Sequence, residues 1–376
     1  MTATNLGATK HRARFHPLTV SAVRQLTADS VEVTFAIPEN LRGSFDYAPG
    51  QHLALRATID GHELRRSYSI CRPPSLDSRG QCSISVAIKR DLGGVFSSWA
   101  NTELEAGQQV EVMSPQGTFT STLQDLDHRH IVGIAAGSGI TPLMSLAHTV
   151  LAASAASRFT LVYTNRTALD VMFLDELAEL KDRYPARLAL YHVLSREQRS
   201  SSLLTGRIDE DKFRRMLETI LRPGTVDEWF LCGPFELVQP CRDTLDDVGV
   251  ATSRVRFELF STGESNRASG DVGRPVLVAA GDKTVQIEFT LDGPSNTVTT
   301  PVNAKESILN AALRVRPDVP FACAGGVCGT CRAKLVSGDV TMTENYALEP
   351  DEIERGYVLT CQSHPTSEKV VVDYDV

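Results

Sequence analysis

Four cysteines near the C-terminal end constrain the fold of this chain more than any other feature of its sequence. Three of them stand in the stretch PFACAGGVCGTC, and the fourth follows thirty residues later. They are Cys323, Cys328, Cys331 and Cys361. The spacing C-x4-C-x2-C…C is that of plant-type [2Fe–2S] sites, in which four thiolates hold two irons and two sulfides. The glycines among them suit a loop that wraps closely around a cluster, and they are Gly325, Gly326 and Gly329.

Other interpretations of these cysteines stay open from the spacing alone. A zinc site usually combines one C-x2-C pair with a second close pair, whereas Cys361 stands by itself. Four reduced thiols in an ordinary core are the other alternative. A disulfide framework is not expected, because the opening stretch MTATNLGATKHRARFH has no apolar segment that could act as a signal peptide or anchor. We expect residues 1–14 to be a short mobile tail and the protein to be cytoplasmic.

The pattern of apolar residues changes between residues 124 and 125, which predicts two different folds on either side. Residues 15–124 contain short alternating segments separated by Gly, Pro, Asn and Asp, namely VEVTFAI, HLALRATI, LRRSYSI, CSISVAIK and QQVEVMSP. They predict an antiparallel barrel or sandwich. In residues 125–262 the apolar strands IVGIAA, FTLVYT, LALYHVLS, WFLCG and VRFELF alternate with helical stretches. This alternation predicts a parallel sheet with helices on both faces.

Two helices of this second region can be placed by their periodicity. The stretch from Asp170 to Tyr184 should be helical, with one apolar side made of Phe173, Leu174, Leu177, Ala178 and Leu180. Another helix should begin at Asp209, a favourable N-cap followed by two acidic residues. Its buried side should hold Phe213, Met216, Leu217, Ile220 and Leu221.

The last third of the chain follows a polar stretch rich in Gly and Ser, STGESNRASGDVGRP. We expect residues 263–274 to be a linker. Residues 275–376 should form a small α+β domain with strands VQIEF, CRAKLV and VVVDYDV and one helix near residues 306–315. From Arg274 onward there are nine basic and 14 acidic residues, so this part carries −5 of the chain's net −8. The net negative charge excludes general electrostatic binding to nucleic acid. The lack of an apolar run of 18 residues excludes a membrane-spanning helix.

A glycine-rich turn follows the first strand of the second region, in HIVGIAAGSGITP. Backbone N–H groups at the start of the next helix would point at an anion, and Gly137 and Gly139 would let a pyrophosphate approach. Pro142 suits the first helical turn. The turn reads G-x-G-x-x-P and departs from G-x-G-x-x-G, so a tight turn without a ligand stays open.

One strand of the first region, LRRSYSI, carries three functional groups in alternation. Arg66 offers a fork for phosphate, Tyr68 a flat face for a ring, and Ser69 a hydroxyl. The same pattern suits an ordinary solvent-facing surface, so this strand alone does not distinguish a ligand-binding site from a solvent-facing one.

The order of the motifs is more specific than any one of them. R-x-Y-S is followed by GGVFS at 93–97, by GSGITP, by CGP at 232–234, and by Glu258 and Phe260. This order resembles the ferredoxin–NADP reductase superfamily, and the cysteine motif makes the chain similar to oxygenase reductases that carry a C-terminal plant-type ferredoxin domain. The resemblance implies an FAD-binding β-barrel at 15–124, an NADP-binding α/β domain at 125–262 and a β-grasp ferredoxin domain at 275–376.

The resemblance also implies the flavin contacts. In this superfamily the arginine of R-x-Y-S binds the flavin pyrophosphate, the tyrosine stacks on the isoalloxazine and the serine lies near flavin N5; these are Arg66, Tyr68 and Ser69 here. Further FAD contacts would come from Ser67, Gly93, Gly94, Val95, Ser97, Glu258 and Phe260. A branch that uses FMN shares the arginine.

For the nicotinamide nucleotide, the resemblance implies binding by Gly137, Gly139 and Thr141. Cys232, with Gly233 beside it, would approach the nicotinamide where hydride leaves; a plain buried thiol is the alternative. NADPH is the expected donor because Asn165-Arg166 and Ser195-Arg196 follow successive strands, and a 2′-phosphate prefers guanidinium forks where an NAD site shows Asp or Glu. Either arginine could instead be a surface charge. The implied catalytic residues are Ser69, Cys232 and Glu258.

The implied activity is electron transfer. NADPH gives two electrons together and a [2Fe–2S] cluster takes one at a time, so the expected path is NADPH, FAD, cluster, external acceptor. Stretches such as ELRRSYSICR and MTENYALEPDEIERGYVLTCQSHP are most similar to the branch that serves a diiron oxygenase epoxidising phenylacetyl-CoA. The alternatives are a reductase of a Rieske-type oxygenase, such as a ketosteroid hydroxylase, and a flavin and iron–sulfur redox sensor. Four acidic residues before Cys361 suggest docking on a basic patch of the oxygenase, or else a solvated loop: Glu349, Asp351, Glu352 and Glu354.

Overall fold

The structure is a computed structural model that describes residues 14–74, 82–123, 125–261, 276–277, 279, 281–316, 318–321, 324–348 and 350–376. The expected tail before Arg14, the expected linker, Cys323 and Glu349 lie outside the described residues. The chain divides into two compact units. The first holds the described residues of Phe15–Glu63 and Tyr68–Gly263, and the second chiefly those after residue 263, together with Leu64–Ser67.

Six strands near the N-terminus form one antiparallel sheet of the barrel type. They are β1 (Phe15–Thr27), β2 (Ser30–Ile37), β3 (His52–Ile59), β4 (His62–Ser69), β5 (Cys82–Lys89) and β6 (Gln109–Met113). Their spatial order is β4-β3-β6-β1-β2-β5. The sequence pattern predicted β2 to β6. It did not predict β1, whose pairing with β2 shifts register twice, because such bulges break the alternation of apolar side chains.

The following region is a parallel sheet, as predicted, and its five strands lie in the order β11-β10-β7-β8-β9. Its strands are β7 (His130–Ala136), β8 (Arg158–Asn165), β9 (Leu188–Leu194), β10 (Glu228–Pro234) and β11 (Val255–Ser261). The helices of the first unit are α1 (Val95–Thr102), which precedes this region, and α2 (Ile140–Ala153), α3 (Leu174–Arg183), α4 (Glu210–Met216) and α5 (Phe235–Asp247). None of the helices in the described residues is long and apolar enough to span a bilayer.

Both predicted helices form, and one of them begins later in the sequence than predicted. Helix α3 begins at Leu174 instead of Asp170, because Phe173 adopts a left-handed φ of 59°. Its buried residues are Leu177 and Leu180, whereas Leu174 and Ala178 are exposed, so the predicted apolar side was too wide. Helix α4 begins as predicted, since the Asp209 side chain accepts a hydrogen bond from Lys212 N at 2.8 Å.

Beyond α4 the chain widens into a short π-helical turn, Leu217–Leu221. Four of the five residues predicted to be buried along this helix are buried, and Ile220 is half-buried.

The barrel and the parallel sheet of the first unit share one apolar core. Phe119, from the chain after β6, meets Phe230 of β10 edge to face with ring centroids 5.1 Å apart. Nearby, the buried Glu228 carboxylate accepts hydrogen bonds from Thr122 N at 2.9 Å and Thr122 Oγ1 at 2.7 Å. These contacts fix the barrel against the sheet that carries the glycine-rich turn.

The second unit is a mixed five-stranded sheet with the order β13-β12-β18-β14-β16 and a helix packed on it, as expected for a β-grasp domain. Its strands are β12 (Thr284–Thr290), β13 (Ser295–Pro301), β14 (Arg332–Ser337), β16 (Tyr357–Leu359) and β18 (Lys369–Asp373). A separate pair is formed by β15 (Val340–Met342) and β17 (Ser363–Pro365). The helices are α6 (Ile308–Leu313), within the predicted range, and α7 (Pro350–Glu354).

Candidate cofactor and electron-transfer site

Three predicted catalytic residues come together at one end of the parallel sheet. Ser69, at the end of β4, donates a hydrogen bond through its hydroxyl to Glu258 Oε2 at 3.2 Å. Glu258 lies on β11 directly beside Cys232 of β10 in the parallel register. The structure thus unites residues that are 189 positions apart in sequence.

Cys232 is fully buried, and its thiol stays protonated at neutral pH. Burial, followed by the nearby Glu258 carboxylate, raises the pKa of this thiol well above its ordinary value. A protonated, buried sulfur is a compact apolar group that excludes water and cannot act as a nucleophile. Its place beside Glu258 is the one expected near a nicotinamide, but a purely structural thiol would have the same burial.

His52 also faces this group, and sequence reasoning missed it. Its side chain is 2 % exposed, and Nδ1 lies 3.9 Å from Glu258 Oε1. Gly117 makes room for the ring, since a Cβ at that position would lie 2.7 Å from His52 Nδ1. Only the fold brings these residues together, so no local pattern could have singled out His52.

The predicted flavin residues of β4 and the GGVFS turn are adjacent. The rings of Tyr68 and Phe96 have centroids 5.8 Å apart, and Phe96 belongs to α1, which Gly93, Gly94 and Val95 introduce. The Ser97 hydroxyl closes the turn, because it accepts a hydrogen bond from Asp91 N at 3.0 Å and donates one to Gly94 O at 3.3 Å. A direct contact of Ser97 with a flavin stays a prediction.

The residues around β4 fit a bound flavin. The hydroxyl of Ser67 is buried and has no hydrogen-bond partner among the described residues. A buried polar group without a partner costs free energy, so this position needs a polar group from a ligand or water. Beside it, the half-buried Arg66 donates to Arg65 O at 2.7 Å, which leaves further N–H groups of its guanidinium for a phosphate.

The glycine-rich turn is held from two sides. Gly137 has a φ of 52°, and its carbonyl accepts a hydrogen bond from the buried Tyr163 hydroxyl at 2.9 Å. A Cβ on Gly139 would lie 2.1 Å from Cys232 O, so the turn packs directly on the backbone that carries the predicted nicotinamide contact. Thr141 is buried and donates to Ser138 O at 2.9 Å, which places its hydroxyl inside the turn.

The two arginines proposed for a 2′-phosphate lie at the carboxyl edge of the sheet. Arg166 and Arg196 follow β8 and β9, and Arg196 N bonds Arg166 O at 2.8 Å. Both side chains are exposed, but Arg166 also reaches Asp170 Oδ1 at 2.5 Å and Asp29 Oδ2 at 3.6 Å. A phosphate at this edge would share that guanidinium with two carboxylates. Ser195 directly precedes Arg196, and its N–H donates a hydrogen bond to Asn165 O at 2.9 Å.

The second unit brings together the described part of the cysteine motif. The carbonyl of Cys331 accepts hydrogen bonds from Thr360 N at 3.2 Å and Thr360 Oγ1 at 2.9 Å, which puts Cys331 next to Cys361. Cys328 Sγ lies 3.1 Å from Thr330 Oγ1. Cys323 lies outside the described residues.

The loop that carries these cysteines contains left-handed backbone positions and close backbone approaches. Ala324 and Gly326 have φ angles of 53° and 78°. Gln362 Nε2 donates to Ala324 O at 2.9 Å, and a Cβ on Gly326 would lie 3.0 Å from Glu344 O. Within the described residues no three Cys, His, Asp or Glu side chains surround a point for one metal ion, whereas a [2Fe–2S] cluster takes two thiolates per iron.

The acidic residues before Cys361 are partly neutralised. Glu352 is buried and lies 3.0 Å from Arg332 Nε, and Asp351 pairs with Arg355 at 2.7 Å. Glu354 is exposed, and Glu349 lies outside the described residues. Arginines of the same unit therefore reduce the negative charge expected for a docking surface.

Comparison with known families assigns each region. An oxidoreductase FAD-binding domain family matches residues 17–121, an oxidoreductase NAD-binding domain family matches 134–243, and a 2Fe-2S iron-sulfur cluster binding domain family matches 289–366. Among curated proteins, one component of the 1,2-phenylacetyl-CoA epoxidase of Escherichia coli is 42 % identical over 96 % of this chain and 98 % of that protein.

The chain belongs to the ferredoxin reductase superfamily. The ferredoxin reductase component of the 3-ketosteroid-9-alpha-monooxygenase of Rhodococcus rhodochrous is 35 % identical over 97 % of this chain and 98 % of that protein. A solved structure of phthalate dioxygenase reductase, 24 % identical, covers 96 % of this chain and 98 % of its own with a TM-score of 0.56, and it supports the fold.

The predicted fold class is confirmed, and so are FAD, a nicotinamide nucleotide and a [2Fe–2S] cluster as the cofactors. The chain is an NAD(P)H-dependent oxidoreductase with FAD and a [2Fe–2S] cluster, built from a barrel domain, a parallel-sheet domain and a ferredoxin domain. The exact domain limits and the roles of single residues stay predictions.

Proposed function

We propose that this chain is the reductase of a multi-component diiron oxygenase that epoxidises phenylacetyl-CoA in phenylacetate degradation. The observation that carries the proposal is 42 % identity to the E. coli epoxidase component over nearly the full length of both chains. The relative from the ketosteroid system matches over the same length with 35 % identity. It supports the second candidate, the reductase of a ketosteroid hydroxylase of the Rieske type.

Bound FAD supplies the exchange between two-electron hydride transfer and one-electron transfer to the [2Fe–2S] cluster. The chain's own residues would bind the cofactors and orient them. Ser69 is held by its hydrogen bond to Glu258, and Arg66 offers N–H groups to a pyrophosphate. Cys232 fills the site with a fully buried, uncharged sulfur that keeps water out. Cys323, Cys328, Cys331 and Cys361 would hold the cluster.

We further propose that NADPH is the donor. The support is the position of Arg166 and Arg196 at adjacent strand ends, where guanidinium groups can hold a 2′-phosphate. Replacing both by alanine should lower kcat/KM for NADPH by more than tenfold and leave kcat/KM for NADH within about twofold. An equal loss for the two donors would show that neither arginine reads the 2′-phosphate.

The acceptor is tested by reconstitution. The purified holoprotein is combined in parallel with a phenylacetyl-CoA epoxidase oxygenase and with a ketosteroid Rieske oxygenase, each with its own substrate. Product formed per donor oxidised is measured for both. Efficient coupling with the epoxidase and at least tenfold weaker coupling with the Rieske enzyme would support the first candidate. The reverse order would support the second and overturn the first.

A further inference from the structure

Arg72 lies three residues after Ser69 and binds groups from both the barrel region and the parallel-sheet region of the first unit. Its carbonyl accepts hydrogen bonds from the Tyr47 hydroxyl at 3.0 Å and from Ser145 Oγ at 2.8 Å. Tyr47 belongs to the barrel region, and Ser145 lies on α2, the helix that follows the glycine-rich turn. The backbone of Arg72 therefore connects the segment after β4, the strand with the predicted flavin residues (called the flavin strand below), to α2, the helix after the glycine-rich turn (called the nucleotide-binding helix below).

The side chain of Arg72 makes a second connection. Its guanidinium binds Glu32 in a two-pronged arrangement, with Nε 2.5 Å from Oε1 and Nη2 2.8 Å from Oε2. Nη2 also reaches Glu176 Oε1 at 3.4 Å, on α3. The group lies 5.5 Å from the centre of the Phe173 ring, directly before that helix.

Arg24 completes the cluster. It donates to Glu32 Oε2 from Nε at 3.0 Å and from Nη2 at 2.6 Å, and it also binds Glu176 Oε1. The four charges sum to zero, and the Glu32 carboxylate is 6 % exposed. The Arg24 side chain is 48 % exposed, whereas that of Arg72 is 29 % exposed. Because the Glu32 carboxylate is shielded from water and held by the two-pronged contact with Arg72, this pair has a defined geometry, in contrast to exposed ion pairs. Arg24, Glu32 and Arg72 come from the barrel region, and Glu176 comes from the parallel-sheet region.

We propose that Arg72 is a positioning residue that sets the spacing between the flavin strand β4 and the nucleotide-binding helix α2. It does so through Ser145 on α2 and through Glu176 on α3. Hydride transfer requires the donor and acceptor carbons in near contact, and a misplacement of about 1 Å can cost roughly 100-fold in rate. No role in binding a cofactor directly is needed for Arg72 to act in this way.

The test uses Glu176→Gln in the full-length holoprotein, because it keeps the side chain's shape and leaves the Arg72–Glu32 fork in place. Glu179→Gln, an exposed position on the same helix, is the matched control. Of NADPH and NADH, the experiment uses the donor that the unmodified protein oxidises faster. Anaerobic stopped-flow flavin reduction is followed over a range of donor concentrations, which separates the limiting rate from the donor's Kd.

We expect Glu176→Gln to lower the limiting rate about tenfold, with the donor Kd within twofold and flavin content unchanged. Glu176→Asp, which keeps the charge, should recover part of the rate. Hydrogen–deuterium exchange should become faster at residues 70–72 and in α2 for Glu176→Gln, and Glu179→Gln should leave every readout unchanged. A normal limiting rate, a change only in the donor Kd, or loss of flavin from Glu176→Gln would each overturn the proposal.

Discussion

Gly139 shows how a single missing side chain places two distant motifs against each other. The glycine-rich turn approaches the Cys232 backbone so closely that a methyl group at residue 139 would lie 2.1 Å from a carbonyl oxygen. The sequence suggested that this glycine serves the approach of a phosphate. The structure adds a second reason, which is the close packing of the turn on the backbone of Cys232. The spacing of the glycines in the sequence does not reveal this contact.

Gly139→Ala should therefore displace the turn relative to Cys232. We expect the limiting rate of flavin reduction by the nicotinamide donor to fall by about 100-fold while flavin content stays normal. Stopped-flow absorbance at the flavin maximum measures this. Gly224→Ala is the control, because a Cβ there meets nothing within 4 Å and the position needs no left-handed φ. A normal rate in Gly139→Ala would contradict the packing argument.

His148 makes the fold sensitive to mild acid. Burial, with smaller contributions from Arg72 and Arg183 that outweigh Glu176, lowers the pKa of this histidine to about 4. In the unfolded chain the pKa is about 6.5, so between pH 6.5 and 4 the unfolded state binds a proton that the folded state does not. Stability is therefore fully present above pH 6.5 and is lost as the pH falls.

His148→Leu should remove about 2 kcal/mol of the destabilisation that occurs between pH 7 and pH 5. The measurement is the thermal midpoint of the holoprotein at both pH values. The gap between them should shrink by roughly 4 °C in the variant, and an exposed-site variant, His62→Leu, should keep the original gap. An unchanged gap in His148→Leu would show that this histidine does not titrate with unfolding.

At the scale of elements, the pattern of apolar residues predicted the regular strands. Local backbone geometry decided where the irregular elements begin and end. β2 to β6 and all five parallel strands follow from apolar patterning, because their buried side chains repeat every second residue or form continuous runs. The start of α3 did not follow, because the left-handed Phe173 cannot be anticipated from periodicity. Glu176 lies on this helix outside the predicted apolar side. Its partner Arg72 is 104 residues away, beyond the reach of any local pattern.

The cysteine loop is an element whose function can be removed separately. Cys328→Ser should abolish the visible and EPR signals of the cluster and stop transfer to an oxygenase, because a plant-type [2Fe–2S] centre is held by four thiolates. Donor-driven ferricyanide reduction should stay within about twofold, since flavin alone supports it. Cys82→Ser, in the barrel, is the control for loss of a thiol. Equal loss of both activities in Cys328→Ser would mean that the redox centres do not act in series.

On the scale of the whole molecule, the order of motifs was the strongest guide. Each motif alone admitted a structural explanation, and Cys232 still does, but five motifs in one order, together with the cysteine motif, predicted the fold class and the flavin, nicotinamide and [2Fe–2S] cofactors. Residues that join the barrel to the parallel sheet, such as Arg72 and His52, were not foreseen because they carry no motif. Their importance comes from which surfaces meet, a property that appears only after folding.

An anaerobic titration of the purified protein with NADPH, followed by absorbance and EPR, tests the electron-transfer chain most directly. Bleaching of the flavin bands together with a rhombic S = ½ signal is predicted, because electrons from the donor should reach the cluster through the flavin. Flavin bleaching without that signal, in protein shown to contain iron and sulfide, would contradict the assignment of Cys323, Cys328, Cys331 and Cys361 as ligands of a reducible [2Fe–2S] cluster.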